Sequence, residues 1–308
     1  MPGPGSARAV ALAASALLVC ASGCSEECGP PVAGWVAYTT HRAGQYDVRV
    51  VRGDGACDGV LASTPDDEND PSYAAAAQGA AYWAYRGGHG RLVFRPVAAP
   101  NETLLETGDL AVASPELSPD GTRVAFSGKS PDSGTADVYV MPLHGGAPTA
   151  VAASPADDVQ PAWAPDGKAL YFTSNRTGRY QVWRVDLAGG APVQVSQEAA
   201  SPLRCGANAC RILGRPAPSP DGKFLAFARA TPALDGRIMV LDLATGQERM
   251  LADAPDVEPS WSPDGSTIAV MNTSFGDAEV IVRDAVTGVL SVRLTWSPGV
   301  DGAPSWVR

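Results

Sequence analysis

Four acidic residues hold one position in a recurring pattern. Glu68, Asp158, Asp256 and Asp301 each stand three residues ahead of a proline that opens a Pro-small-aromatic triplet. Carboxylates gathered at one mouth by a repeating fold repel one another, and their combined field favours a cation, an amine or a basic protein segment. A Ca²⁺ ion there requires about six to eight oxygen ligands, of which these acids could supply some. Two arginines, Arg42 and Arg176, fall on links expected at the same face. They complete the candidate binding set as loop bases, or they neutralise Asp301 and Asp158 within their own repeats. The remaining two repeats carry Val112 and Leu213 at the acid position.

Other chemistry is sparse. His41, His89 and His144 each fall in a predicted turn beside Gly or Arg, so no histidine-based catalysis and no catalytic residue is assigned. No Gly-x-Ser-x-Gly nucleophile elbow occurs. The close cysteine pair, Cys205 and Cys210, has no histidine nearby in sequence, which argues against zinc and leaves the chain without an assigned metal site. Trp163, Trp261 and Trp306 recur at equivalent positions and are expected to pack between repeats.

The elements that position these groups announce themselves through turn chemistry. Ser-Pro-Asp-Gly, or a one-letter variant, occupies residues 118–121, 164–167, 219–222 and 262–265. Pro presets φ, Asp bonds neighbouring amides and Gly accepts positive φ, so each block is a tight reversal. The Asp residues of these blocks lie 46, 55 and 43 residues apart, near the period of a four-stranded propeller blade. In the last full copy Pro259-Ser260-Trp261, Thr267 to Asn272, Glu279 to Asp284 and Leu290 to Thr295 read as four strands.

Counting first strands gives blades centred on 71–111, 113–159, 160–215, 216–258 and 259–302. A composite blade joins 303–308 to 34–70, because the N-terminal copy begins near Trp35 at a second strand and Pro304-Ser305-Trp306 supplies the first. The expected fold is an all-β six-bladed propeller of four-stranded antiparallel blades, closed by the C-terminal strand.

Residues 1–23 carry Arg8, an apolar stretch from Ala9 to Cys20 and the small residues Ala21-Ser22-Gly23, which read as an export signal too short to span a bilayer. Residues 24–32 form a linker and 33–308 the propeller. Four cysteines, Cys28, Cys57, Cys205 and Cys210, remain besides Cys20 and Cys24. In an exported protein an even remainder suggests two disulfides, Cys205 with Cys210 and Cys28 with Cys57. The formal charge of −10 and the lack of a basic cluster exclude a nucleic-acid partner.

Two resemblances extend this reading. Ala-Ser-Gly followed by Cys24 resembles the lipobox of bacterial lipoproteins, which implies lipidation of Cys24 and an outer-membrane position facing the periplasm. Pro161-Ala162-Trp163-Ala164-Pro165-Asp166-Gly167, Pro259 to Gly265 and the run at 173–178 resemble the TolB-like propeller family over nearly the whole mature chain. That family's blades occur in an envelope component and in peptidase propellers, so the likeness implies fold more than activity.

Strand alternation puts the tight turns on one face. The other face is expected to carry Asp66 to Asp70, Gly128 to Thr135, Cys205 to Cys210, Arg229 to Arg237 and Thr273 to Glu279. The leading expectation is a monomeric, non-catalytic, envelope-anchored module that needs no cofactor. Its irregular face would engage a protein or peptidoglycan-associated partner. The alternative is a lactonase- or phosphotriesterase-type hydrolase with Ca²⁺ in the central channel.

Overall fold

The computed structural model describes residues 31, 33–97, 101–196, 212–230, 236–296 and 298–308. The predicted signal, most of the linker, and Cys24, Cys28, Cys205 and Cys210 lie outside the described residues. Within them the chain forms six four-stranded antiparallel sheets.

Blade I holds β4 (Glu68–Ala74), β5 (Gly79–Arg86), β6 (His89–Pro96) and β7 (Thr103–Leu104). Blade II holds β8 (Ala111–Leu117), β9 (Arg123–Lys129), β10 (Asp137–Pro142) and β11 (Thr149–Ala152). Blade III follows as β12 (Asp158–Trp163), β13 (Ala169–Ser174), β14 (Gln181–Asp186) and β15 (Val193–Gln194). Blade IV is β16 (Ile212–Pro218), β17 (Phe224–Ala230), β18 (Gly236–Asp242) and β19 (Glu248–Met250). Blade V is β20 (Asp256–Trp261), β21 (Thr267–Phe275), β22 (Asp277–Asp284) and β23 (Leu290–Arg293). Blade VI joins the two ends of the chain: β24 (Val300–Trp306) pairs with β1 (Trp35–Arg42), followed by β2 (Gln45–Arg52) and β3 (Asp58–Ala62).

The strand types follow from position. The second strand β13 is buried along its whole length because neighbouring blades cover both faces, so it opens as an apolar run, Ala169 to Phe172, before ending in the buried Thr173 and Ser174. Fourth strands such as β7 and β15 are short and exposed, which leaves little edge for unwanted pairing.

No single core fills the ring. Six hydrophobic clusters each join two adjacent blades, such as Ala162, Tyr171 and Val182 of blade III with Leu225, Phe227 and Met239 of blade IV. The recurring tryptophans sit in these seams. Trp163 Nε1 donates to the Glu116 carbonyl of blade II at 2.9 Å, and Trp261 Nε1 to the Ala217 carbonyl of blade IV at 2.9 Å.

The Ser-Pro-Asp-Gly turns close as their chemistry requires. Ser118 Oγ donates to Asp120 at 2.5 Å, the Thr122 amide donates to the same carboxylate at 3.1 Å, and Gly121 takes a φ of 69°. A Cβ at Gly121 would stand 2.3 Å from the Ala77 nitrogen of blade I, so the glycine also permits two blades to touch.

Three expectations change. First strands begin about three residues earlier than the proline motif, so the recurring acids belong to strands and not to crossings. Thr273 to Glu279 is a strand hairpin turning at Gly276, whose φ is 97°, and not an irregular loop. His41 and His89 lie in strands β1 and β6; only His144 occupies a turn.

Candidate functional site

The four recurring acids have no exposed surface. Asp158 receives Arg176 Nη2 on both oxygens at 2.8 Å and Ser154 Oγ at 3.0 Å. The Arg176 guanidinium also lies 4.7 Å from the Trp183 ring and 5.4 Å from that of Phe172. Asp256 accepts from Arg283 Nε and from Asn272 Nδ2, each at 2.5 Å. Glu68 accepts from the Thr64 amide at 3.2 Å and from the Thr64 hydroxyl. Asp301 faces Arg42 Nη2 at 3.5 Å, and neither of its oxygens accepts a hydrogen bond. Asp158, Asp256 and Asp301 are thus each paired with an arginine of their own blade, and Glu68 with Thr64 on the link before it. This placement differs from a shared acidic mouth because the start of an inner strand is covered by the neighbouring links.

Burial pushes the Glu68 carboxyl up to about 7, with Asp47 and Glu102 adding to the rise and the Thr64 bonds opposing it. An acid whose folded value lies above its unfolded value of 4.5 opposes folding above pH 7 and has no effect below about pH 4. Glu68→Gln is therefore expected to raise stability by roughly 2–3 kcal/mol at pH 8. The gain should fade as pH falls through 7 toward 4.5; urea midpoints at pH 8 and pH 4 check this.

The channel is lined by a different column, the residues just before each inner-strand proline. Asp70, Ser114, Gln160, Arg215 and Glu258 converge there with Glu116 and Arg308 around a cavity of about 60 Å³, room for a few waters. Asp70, Ser114, Gln160, Glu258 and Ala303 all take positive φ, between 48° and 57°, in a position where a following proline disfavours helical backbone. A register shift in the inner strand accompanies each of the first four. In blade IV the positive φ moves one residue earlier, to Gly214 at 75°.

Three carboxylates and two guanidiniums share this channel. Glu116 is buried between Arg308 Nη1 at 3.4 Å and Arg215 Nη1 at 3.8 Å, and its Oε2 makes no hydrogen bond. Burial pushes its carboxyl up while the two arginines pull it down. Glu258 accepts the Ala303 amide at 2.6 Å, and burial, reinforced by Asp70, pushes its carboxyl up to about 6. Asp70 accepts from Trp83 Nε1 at 2.9 Å and from Ser114 Oγ at 3.3 Å.

On the loop face this channel opens between blades II, III and IV into a cleft of about 480 Å³. Val112, Ala113, Ala136 and Val159 supply apolar walls, Ser114 and Gln160 are shared with the channel, and Lys129 and Tyr180 stand at the rim. Tyr180 is fixed by its hydroxyl bond to Asp157 at 2.9 Å. The segment from Gly128 to Thr135 flanks this cleft, with Ser133 Oγ donating to the Thr135 carbonyl at 2.8 Å. Asp66 and Asp67 are engaged by Arg86 and by the Tyr46 amide. Arg229 is buried on Glu248, and residues 231–235 beyond it lie outside the described residues. Among the described residues no group of three or more His, Cys, Asp or Glu is placed to hold a metal ion, and no helix is long and apolar enough to cross a membrane.

Six antiparallel blades around a polar channel define a closed β-propeller. The TolB beta propeller domain matches residues 33–209, more than half of the chain, and the protein belongs to that family. It is 28% identical over 164 residues to an uncharacterized protein of Agrobacterium fabrum, a match spanning 49% of this chain and 52% of the relative. A TolB homologue of Chlorobium chlorochromatii is 30% identical over 144 residues, 46% of this chain and 29% of its own length. The chain thus spans about half or less of these relatives. The crystal structure of TolB from Acinetobacter baumannii superposes with a TM-score of 0.74 at 19% identity, covering 89% of this chain and 66% of that one, a likeness of fold.

Proposed function

We propose that this protein is a non-catalytic binding module of the bacterial cell envelope whose loop face engages a protein or cell-wall partner at the mouth of the channel. The observation that carries this reading is the cleft itself: an apolar-walled opening with a fixed tyrosine and a lysine at its rim and polar groups at its floor, the composition of a recognition site. In the same reading the protein is an outer-membrane lipoprotein anchored through Cys24 and facing the periplasm, a monomer, with Cys205–Cys210 and Cys28–Cys57 disulfides. Cys24→Ala is expected to move it from the membrane to the soluble fraction.

The competing reading is a Ca²⁺-dependent hydrolase. Asp70, Glu116 and Glu258 favour it by lining the channel, but Arg215 and Arg308 share that space and oppose a divalent cation. Calorimetry with Ca²⁺ decides between them. The binding module gives no heat, whereas tight binding abolished by the Asp70→Asn, Glu258→Gln double variant establishes the metal site.

A further inference from the structure

Two aromatic rings at the loop-face corner of blade V belong to none of the hydrophobic clusters. Trp296, on the crossing from β23 to β24, is 70% exposed, and Phe275, at the tip of the β21–β22 hairpin, is 43% exposed. Both lie against one guanidinium. Arg293 stands 4.3 Å from the Trp296 ring centroid and 4.5 Å from that of Phe275.

The arrangement is held firmly. Arg293 Nη2 donates to Glu279 at 2.6 Å and its Nε to the Thr295 carbonyl at 2.9 Å, while Thr295 Oγ1 donates to the second Glu279 oxygen at 2.5 Å. Trp296 Nε1 donates to the Arg293 carbonyl at 3.2 Å. The Gly299 amide reaches the exposed Asp277 carboxylate at 3.4 Å, tying the crossing to the hairpin. With Trp296 70% and Phe275 43% exposed, each ring keeps surface open to solvent beside the guanidinium.

We propose that Trp296 and Phe275 form a stacking platform for an uncharged glycan. Charge selects the ligand class. Arg293, lying on both rings, opposes a cation there, whereas the exposed Asp277 and the net charge of −10 oppose an anion. A neutral sugar presents C–H groups of slight positive charge that suit the negative ring faces. Its hydroxyls can donate to Asp277. The platform is separate from the cleft and does not depend on a partner seated there.

The test is a titration of the purified protein with chitotetraose and cellotetraose, followed by calorimetry and by the indole N–H resonance of Trp296. Binding is expected, weakened about tenfold by Trp296→Ala and by Phe275→Ala, each with an unchanged melting midpoint. Tyr180→Ala, in the cleft, should leave sugar binding intact. The proposal is overturned if neither tetrasaccharide binds, if binding survives Trp296→Ala unchanged, or if Tyr180→Ala abolishes it. Tighter binding of tetragalacturonate or of tetramethylammonium than of the neutral sugars overturns it as well.

Discussion

Deleting residues 303–308 is expected to unfold the whole ring cooperatively, not to fray one end. Five residue pairs hold β24 against β1, from His41 with Val300 to Val36 with Trp306. Beyond this sheet the segment ties blade VI to both neighbours. The Trp306 amide donates to Ser260 Oγ of blade V at 3.0 Å, and the Ala75 amide of blade I donates to the Arg308 carbonyl at 2.7 Å. Trp306 fills the seam between blades V and VI with Val36, Tyr38, Ala269 and Val280. Without residues 303–308 two of these five pairs are lost, the first half of β1 becomes an open edge, and that seam loses its largest side chain. Trp306→Ala alone should cost about 3–5 kcal/mol. Thermal melts followed by circular dichroism check both variants, and a truncated protein melting at the wild-type midpoint would show that closure does not depend on β24.

The second large effect concerns the buried acids. Arg176→Met is expected to destabilise the domain by about 3–5 kcal/mol, because it leaves Asp158 charged, fully buried and supported by Ser154 alone. Combining it with Asp158→Leu should restore most of the loss, since the burial cost of both charges then disappears. Urea denaturation of the single and double variants measures this. A neutral single variant would mean that Asp158 is stabilised by something other than its arginine, and would return it to consideration as a ligand group.

The blade count and the closure by β24 were legible because turn chemistry repeats more faithfully than any strand. Pro, Asp and Gly at 118–121 and 262–265 do one backbone job, so they recur almost unchanged. The channel was harder to see for the converse reason. Asp70, Ser114, Gln160, Arg215, Glu258 and Ala303 share a position and a backbone conformation in most blades but no side-chain chemistry, so a search for repeated chemistry passes over them. Repetition instead favoured Glu68, Asp158, Asp256 and Asp301, whose regularity fits the internal bonding that anchors their inner strands. The platform at Phe275 and Trp296 was hidden because the stretch from Thr273 to Glu279 reads as an irregular link, whereas β-branched Thr273 and the permissive Gly276 extend a hairpin.

A partner on the loop face can be located without knowing what it is. The sequence contains three lysines, Lys129, Lys168 and Lys223. Lys129 stands at the cleft, while Lys168 and Lys223 follow the Asp-Gly turns on the opposite face, and all three are exposed. The informative measurement is amine labelling of the native protein in intact envelopes, compared by mass spectrometry with labelling of the purified protein. Shielding of Lys129 in the envelope, with Lys168 and Lys223 modified as in the purified protein, is the predicted result. Equal labelling of Lys129 in both settings, or shielding confined to Lys168 and Lys223, would contradict a partner bound at the mouth of the channel.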